Sequence, residues 1–260
     1  MQAVVIAAGE SSRFWPLNKE HKSRFQILGK PLIYWTCKGL AENDIKEIIV
    51  VCGKDSQIPA LLGNGSDMGA TIFYAYQEKP LGTGNALWQT KDLIRGPFFV
   101  VWPGKVNSKE VIAEMRLRID QQGSECMLVG AEDGSLGYGM VRMKGNTVEE
   151  IVEKPSPGQE PSNIKTLGIY FFQADFFSYY AGLARHHETD FIDAINRYIK
   201  DKQTSLLLLK EDVPTLKHPW DAFLLMDILF KSSYFKPAIS SSARIAENVS
   251  MEGQVYIGEN

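Results

Sequence analysis

Residues Ala7-Ala8-Gly9-Glu10-Ser11-Ser12-Arg13 follow the apolar run Ala3-Val4-Val5-Ile6, and a second cation, Lys22, stands a little further on. A buried strand feeding a loop of small residues, an arginine and a lysine is a way to hold a polyphosphate. Small side chains let backbone N–H groups close around phosphate oxygens, and Arg13 and Lys22 supply charge-assisted donors. An ordinary strand-to-helix turn would look much the same. The loop is not the dinucleotide fingerprint, since no second and third glycine follow Gly9, nor the Gly-Lys-Ser/Thr of a P-loop.

Five further stretches carry candidate chemistry. In Gln77-Glu78-Lys79-Pro80-Leu81-Gly82-Thr83-Gly84-Asn85-Ala86 the glycines permit close backbone approach, and the Gln77 amide can pair with the edge of a base. The plain alternative is a helix N-terminal loop capped by Thr83. Trp102-Pro103-Gly104-Lys105 ends a strand, where α/β sheets place ligand groups. Gly137-Tyr138-Gly139-Met140-Val141 is a glycine-flanked strand start, or a simple hairpin. Glu153-Lys154-Pro155 puts an acid beside a base, or is a solvated pair. Asp221, after Pro219-Trp220, is either a ligand or a helix-start acid favoured by the dipole.

Strand-length apolar runs at 3–8, 48–52, 71–76 and 98–102 alternate with helical patterns at 32–42, 84–94 and 108–121. That alternation predicts an α/β fold, with a mostly parallel, Rossmann-like sheet covered on both faces. Short strands at 126–131, 138–143, 148–152 and 168–172, joined by Gly/Asp/Pro/Asn turns, predict an antiparallel insertion that brings a second half of the site. Helices are expected again at 175–184, 190–199 and 220–231, with a strand at 205–209.

The last segment changes period. Ile239, Ile245, Met251 and Ile257 fall on every sixth residue, with Val249 and Val255 each two places before the next. That hexad predicts the start of a left-handed parallel β-helix. The expected division is therefore 1–235 and 236–260, the second a solenoid cut off in mid-repeat, because so few turns cannot cap their own core.

With 260 residues, 44% hydrophobic and 23% charged, the composition is that of an ordinary globular protein. A net charge of −3 argues against bulk nucleic-acid binding, so any phosphate chemistry is local. Cys37, Cys52 and Cys126 are scattered and odd in number, which predicts a reducing cytoplasm. No signal peptide, transmembrane helix or membrane partner is expected.

Taken in order, the six motifs resemble the sugar-1-phosphate nucleotidylyltransferase family along nearly the whole chain. Residues 7–18 and His21-Lys22 are similar to its opening Ala-Ala-Gly-x-Gly-Thr-Arg-x-x-Pro-Leu-Thr and Pro-Lys, and Gly29-Lys30-Pro31 to its Gly-Lys-Pro. The 77–86 and 137–141 stretches resemble the N-acetylglucosamine-1-phosphate uridylyltransferase branch, and Pro219-Trp220-Asp221 the archaeal-type members that carry a hexapeptide β-helix. The resemblance implies transfer of a nucleotidyl group from UTP or dTTP to glucose 1-phosphate or N-acetylglucosamine 1-phosphate, with release of pyrophosphate. It implies nucleotide contacts at Ala8, Gly9, Ser11, Ser12, Gln77, Gly82 and Thr83, and catalytic cations at Arg13, Lys22 and Lys154. Sugar contacts would come from Gly139, Glu153 and Thr166, Mg²⁺ would sit at Asp221, and a complete β-helix would make trimers.

The sequence departs from that pattern at one charged position. The family's Gly-Asp after the fourth strand is Gly104-Lys105, so a cation replaces an expected magnesium ligand. Ser11 and Thr166 are lesser departures, from Gly and Asn. The alternative reading is an impaired or purely nucleotide-binding domain.

Overall fold

The computed structural model describes every residue except 10, 12, 13, 18, 20, 134–136, 211–214, 233–236 and 260. Ser12 and Arg13 therefore lie outside the described residues. The first half of the chain forms β1 (Gln2–Ile6), β2 (Gln26–Ile27), β3 (Lys30–Pro31), α1 (Leu32–Glu42), β4 (Glu47–Gly53), α2 (Ile58–Leu62), β5 (Thr71–Gln77), α3 (Thr83–Trp88) and β6 (Phe98–Val101). Then come α4 (Ser108–Gln122), β7 (Cys126–Glu132), β8 (Gly139–Lys144), β9 (Thr147–Glu153) and β10 (Ile164–Phe172). The chain continues through α5 (Phe176–Ala181), α6 (Asp190–Asp201), β11 (Thr204–Leu209), α7 (Asp221–Lys231), β12 (Ala238–Ile239) and β13 (Tyr256–Ile257).

The main sheet runs β11-β7-β10-β6-β1-β4-β5. Strands β6, β1, β4 and β5 are parallel, as their unbroken apolar runs predict. Successive residues of β1 feed opposite faces. Val5 belongs to the apolar cluster that includes Leu40 of α1 and Ile112 of α4, and Val4 to the one that includes Leu87 of α3, Phe176 of α5 and Ile195 of α6. A third apolar cluster joins Phe14, Leu32, Val106, Leu216 and Ala222, and so ties the first loop, the loop after β6 and the start of α7 together.

Strand β10 runs antiparallel to both β6 and β7, and the β8–β9 hairpin hangs from it. This is the expected antiparallel insertion. Strand β10 is longer than the pattern predicted, starting at Ile164, because a register shift between Thr166 and Tyr170 breaks its apolar alternation. Gly168 sits in the shift at φ +69°, and a Cβ there would come within 2.9 Å of the Trp102 ring. Two helices are shorter than predicted. The one expected at 84–94 ends at Trp88 and continues as hydrogen-bonded turns, and the one at 175–184 ends at Ala181.

At the C-terminal end Ala238 pairs in parallel with Tyr256, and Ile239 with Ile257. Each partner lies eighteen residues on, which is three six-residue steps. Among the described residues no helix is long and apolar enough to cross a membrane.

Candidate active site

The order of strands reverses between β1 and β6, and the crevice beyond the carboxyl ends of strands at such a point is where open α/β sheets bind ligands. Four candidate stretches leave the sheet along this edge. Gln77 ends β5, the 7–11 loop follows β1, and the 102–105 loop follows β6. Because β10 is antiparallel to β6, its early residues lie at the same edge, with Trp102 N–H donating to the Gly168 carbonyl at 2.9 Å. From β5 to β10 is four strand steps, roughly 19 Å at about 4.8 Å each.

At the β1 end, a Cβ on Gly9 would project into open space, which leaves the backbone of the loop accessible. Ser11 Oγ accepts from the Lys22 N–H at 2.8 Å, so the serine that replaces the expected glycine closes the loop onto the lysine-bearing turn. His21 caps that turn, with its Nδ1 accepting from Ser23 N–H at 3.3 Å, and bonds to the Gly9 backbone. Burial, helped by the neighbouring Lys22 charge, pushes the His21 pKa down to about 4. At neutral pH its ring is therefore an uncharged brace between the two sides of the loop. Ala8 is half-buried.

At the β5 end the Gln77 side chain is buried. Its Nε2 donates to the Gly82 carbonyl and to Asn85 Oδ1, both at 3.0 Å. The carbonyl partner requires an N–H, which fixes the amide orientation and leaves Oε1 as the acceptor. Gly82, not Thr83, is the N-cap of α3, and Thr83 is the first helical residue with no capping bond from a side chain. The glycines here admit a close approach by another part of the chain. A Cβ on Gly82 (φ +95°) would lie 2.2 Å from the Glu188 carbonyl oxygen, and one on Gly84 would lie 2.3 Å from Asp190 Oδ1.

The three expected sugar residues meet at the β10 end. Gly139 and Glu153 are direct cross-strand partners. A Cβ on Gly139 would lie 3.1 Å from both Glu153 Oε2 and Thr166 Oγ1, so the three bound one spot. Lys154 is next to it at φ +45°, an uncommon backbone state for a side-chain-bearing residue. Its N–H donates to the Tyr138 carbonyl at 3.1 Å, and its exposed ammonium lies 3.6 Å from Glu153 Oε1.

Sequence reasoning missed a second group of side chains here. Lys165, almost wholly buried, pairs with Asp133 and lies over the Tyr138 ring at 4.5 Å, and Lys217 lies over the same ring at 3.5 Å. A lysine inside the apolar run 164–172 was the available signal for a buried charge. The 186–190 segment under Gly82 and Gly84 left no comparable trace.

Among the described residues, the middle of the crevice does not offer a two-carboxylate magnesium site. Lys105 is only 3% exposed. Asp221 Oδ2 accepts from the N–H groups of Lys217 and His218, both at 2.8 Å, so that oxygen serves the entry to α7. Among the described residues no three His, Cys, Asp or Glu side chains could together hold a metal ion. A dication about 4 Å from an ammonium would be repelled by about 8 kcal/mol at an effective dielectric near 20. Among the described residues, a buried lysine in place of the expected acid and an Asp221 whose Oδ2 is already engaged do not fit the ion.

A family model described as nucleotidyl transferase matches residues 2–226. The chain belongs to that family. Its sugar-1-phosphate nucleotidylyltransferase members supply the similar sequences. A bifunctional protein GlmU of Methanococcus maripaludis is 28% identical over all of this chain. The nucleotidyl transferase chain spans 61% of that relative's length. A UTP–glucose-1-phosphate uridylyltransferase of Bacillus subtilis is 28% identical, over 68% of this chain and 72% of its own. The fold matches a solved putative glucose-1-phosphate thymidylyltransferase from Bacillus anthracis with TM-score 0.78, at 21% identity, over 91% of this chain and 98% of the other.

Proposed function

We propose that this chain transfers the nucleotidyl group of UTP or dTTP to a sugar 1-phosphate, glucose 1-phosphate or N-acetylglucosamine 1-phosphate, and releases pyrophosphate. The observation that carries the reading is the layout of the sheet edge. A base acceptor at β5, a phosphate loop at β1 and a sugar corner at β10 follow one another over a distance that suits an extended nucleotide sugar. A sugar-phosphate oxygen would attack the α-phosphorus, and the bond from that phosphorus to the oxygen bridging to the β-phosphorus would break. Both partners are anionic, so the work of the residues is alignment and charge neutralisation, with no covalent intermediate.

In this reading Gln77 Oε1 accepts from N3–H of uracil or thymine, where cytosine and adenine present an acceptor instead. Backbone groups of Ala8, Gly9 and Ser11 surround the triphosphate, with Ser12 and Thr83 beside them. Arg13 takes the β- and γ-phosphates and Lys22 the α-phosphate. Lys154 grips the phosphate of the sugar, whose hydroxyls meet Glu153, Thr166 and the Gly139 backbone. The buried thiols of Cys37, Cys52 and Cys126 support a cytoplasmic location, and the eighteen-residue pairing of β12 with β13 supports a left-handed β-helix beginning near residue 236.

Pyrophosphate release over a panel of nucleoside triphosphates and sugar 1-phosphates tests the reading. Release with UTP or dTTP, dependent on the sugar phosphate, is expected. Nucleotide binding without release from any pair would make this a binding domain instead.

A further inference from the structure

We propose that Tyr138 is a positioning residue for the sugar 1-phosphate, holding the backbone of Lys154 through contacts that reach β10 and the entry to α7. The inference rests on the sugar reading of that corner. Three observations carry it further.

The first is the backbone. Gly139 and Glu153 pair across the β8–β9 hairpin, and the bond from Lys154 N–H to the Tyr138 carbonyl at 3.1 Å extends that ladder by one step. Lys154 takes φ +45° there, a state that persists only where neighbours enforce it. Whatever fixes Tyr138 therefore fixes the turn that carries the Lys154 ammonium. The second is the ring. Lys165 of β10 pairs with Met140 of β8, and Tyr138, two residues before Met140, is within diagonal reach. The Lys165 ammonium, ion-paired with Asp133, lies 4.5 Å from the centre of the Tyr138 ring. Thr166, next in sequence, bounds the spot shared by Gly139 and Glu153. The ring thus ties the start of β8 to the strand that supplies Thr166.

The third is the link to α7. The Lys217 ammonium lies 3.5 Å from the centre of the same ring, while its N–H donates to Asp221 Oδ2 at 2.8 Å. Leu216, beside it, is buried in the cluster that holds Phe14 and Leu225. Lys217 is therefore anchored at its backbone, and its charge is seated on the ring. An aromatic face attracts ammonium groups, more strongly as the site is desolvated, and Lys165 is almost wholly buried. Leucine at 138 would fill much of the space without offering such a face, whereas phenylalanine keeps it. Tyr138 stands between Gly137 and Gly139, so its ring is the one side chain that can anchor this three-residue stretch.

Pyrophosphate-release kinetics with glucose 1-phosphate and N-acetylglucosamine 1-phosphate, beside calorimetric titration of the whole chain with UTP and dTTP, test this. Tyr138→Leu is expected to lower kcat/KM for the sugar 1-phosphate about tenfold and to leave the nucleotide Kd within about twofold. Tyr138→Phe is expected to restore the wild-type value. In a Lys154→Ala background, Tyr138→Leu should cost less than about twofold more, because its effect runs through Lys154. Lys217→Met takes one charge off the ring, leaves the hairpin untouched and keeps the N–H bonded to Asp221. It should cost about threefold, and it decides alone if Tyr138→Leu does not fold. An unchanged kcat/KM in either Tyr138→Leu or Lys217→Met would overturn the inference and leave the proposed reaction standing. So would a Tyr138→Phe loss equal to that of leucine, a full tenfold loss in the Lys154→Ala background, or a matching loss of nucleotide affinity. No pyrophosphate release by the wild type from any pair would remove the proposed reaction, and this inference with it.

Discussion

The two sides of the crevice on either side of the loop after β6 differ in how they depart from the family pattern. Toward β10, Gly139, Glu153 and Thr166 bound a single spot although Thr166 replaces the usual Asn. Toward β1, the position where the family pattern has an acid holds a buried lysine, and Asp221 Oδ2 accepts from two backbone N–H groups. The proposed sugar corner is assembled around one changed hydrogen-bonding group. The proposed phosphate middle carries a lysine where the family pattern carries an acid. A retained motif is therefore evidence of position first, and of mechanism only when charges and free lone pairs are counted.

The largest expected effect belongs to the phosphate side. His21 stays neutral in the folded chain down to a pKa of about 4, against 6.5 for an unperturbed ring. Between those values the unfolded chain holds more protons, so stability should rise with pH and be complete above the upper value. The full span corresponds to roughly 3 kcal/mol. Urea unfolding from pH 4 to 7 should show that slope, and His21→Gln should flatten it. An unchanged slope in the variant would mean that the brace lies elsewhere.

At the sugar end, Lys154→Ala should lower kcat/KM for the sugar 1-phosphate by roughly 10- to 100-fold, the worth of a charge-assisted contact, with nucleotide affinity kept. Gly139→Ala places a methyl between the Glu153 carboxylate and the Thr166 hydroxyl, and should raise the sugar-phosphate KM several-fold at constant nucleotide Kd. Equal losses for both substrates would dissolve the distinction between the two ends. Asp221→Asn is the smallest change. An amide oxygen can still accept from Lys217 and His218, so the cost should be about 1 kcal/mol in urea melts, without new Mg²⁺ dependence.

Much of the frame was legible in the sequence. The unbroken apolar strands predicted the parallel sheet, and the turn-rich middle predicted the insertion that carries Gly139 and Glu153. Loop partners were not legible. Gly82 and Gly84 gave the right signal, a close backbone approach, but the approaching atoms belong to Glu188 and Asp190, more than a hundred residues away in sequence. Asp221 was visible as an acid at a helix start, yet its double backbone bond depends on how residues 217–218 turn. Lys165 stood out as a charge at the head of an apolar run, but its partner Asp133 lies thirty-two residues earlier in the chain and could not be read from the pattern.

The central claim is that the two ends of this crevice act on one pair of substrates. Phosphorus NMR of the wild-type chain with UTP or dTTP and a sugar 1-phosphate reads it directly. The account predicts the coupled diphosphate signals of a nucleotide sugar, growing in step with pyrophosphate. Unchanged signals of both substrates, under conditions where the nucleotide is bound, would contradict it.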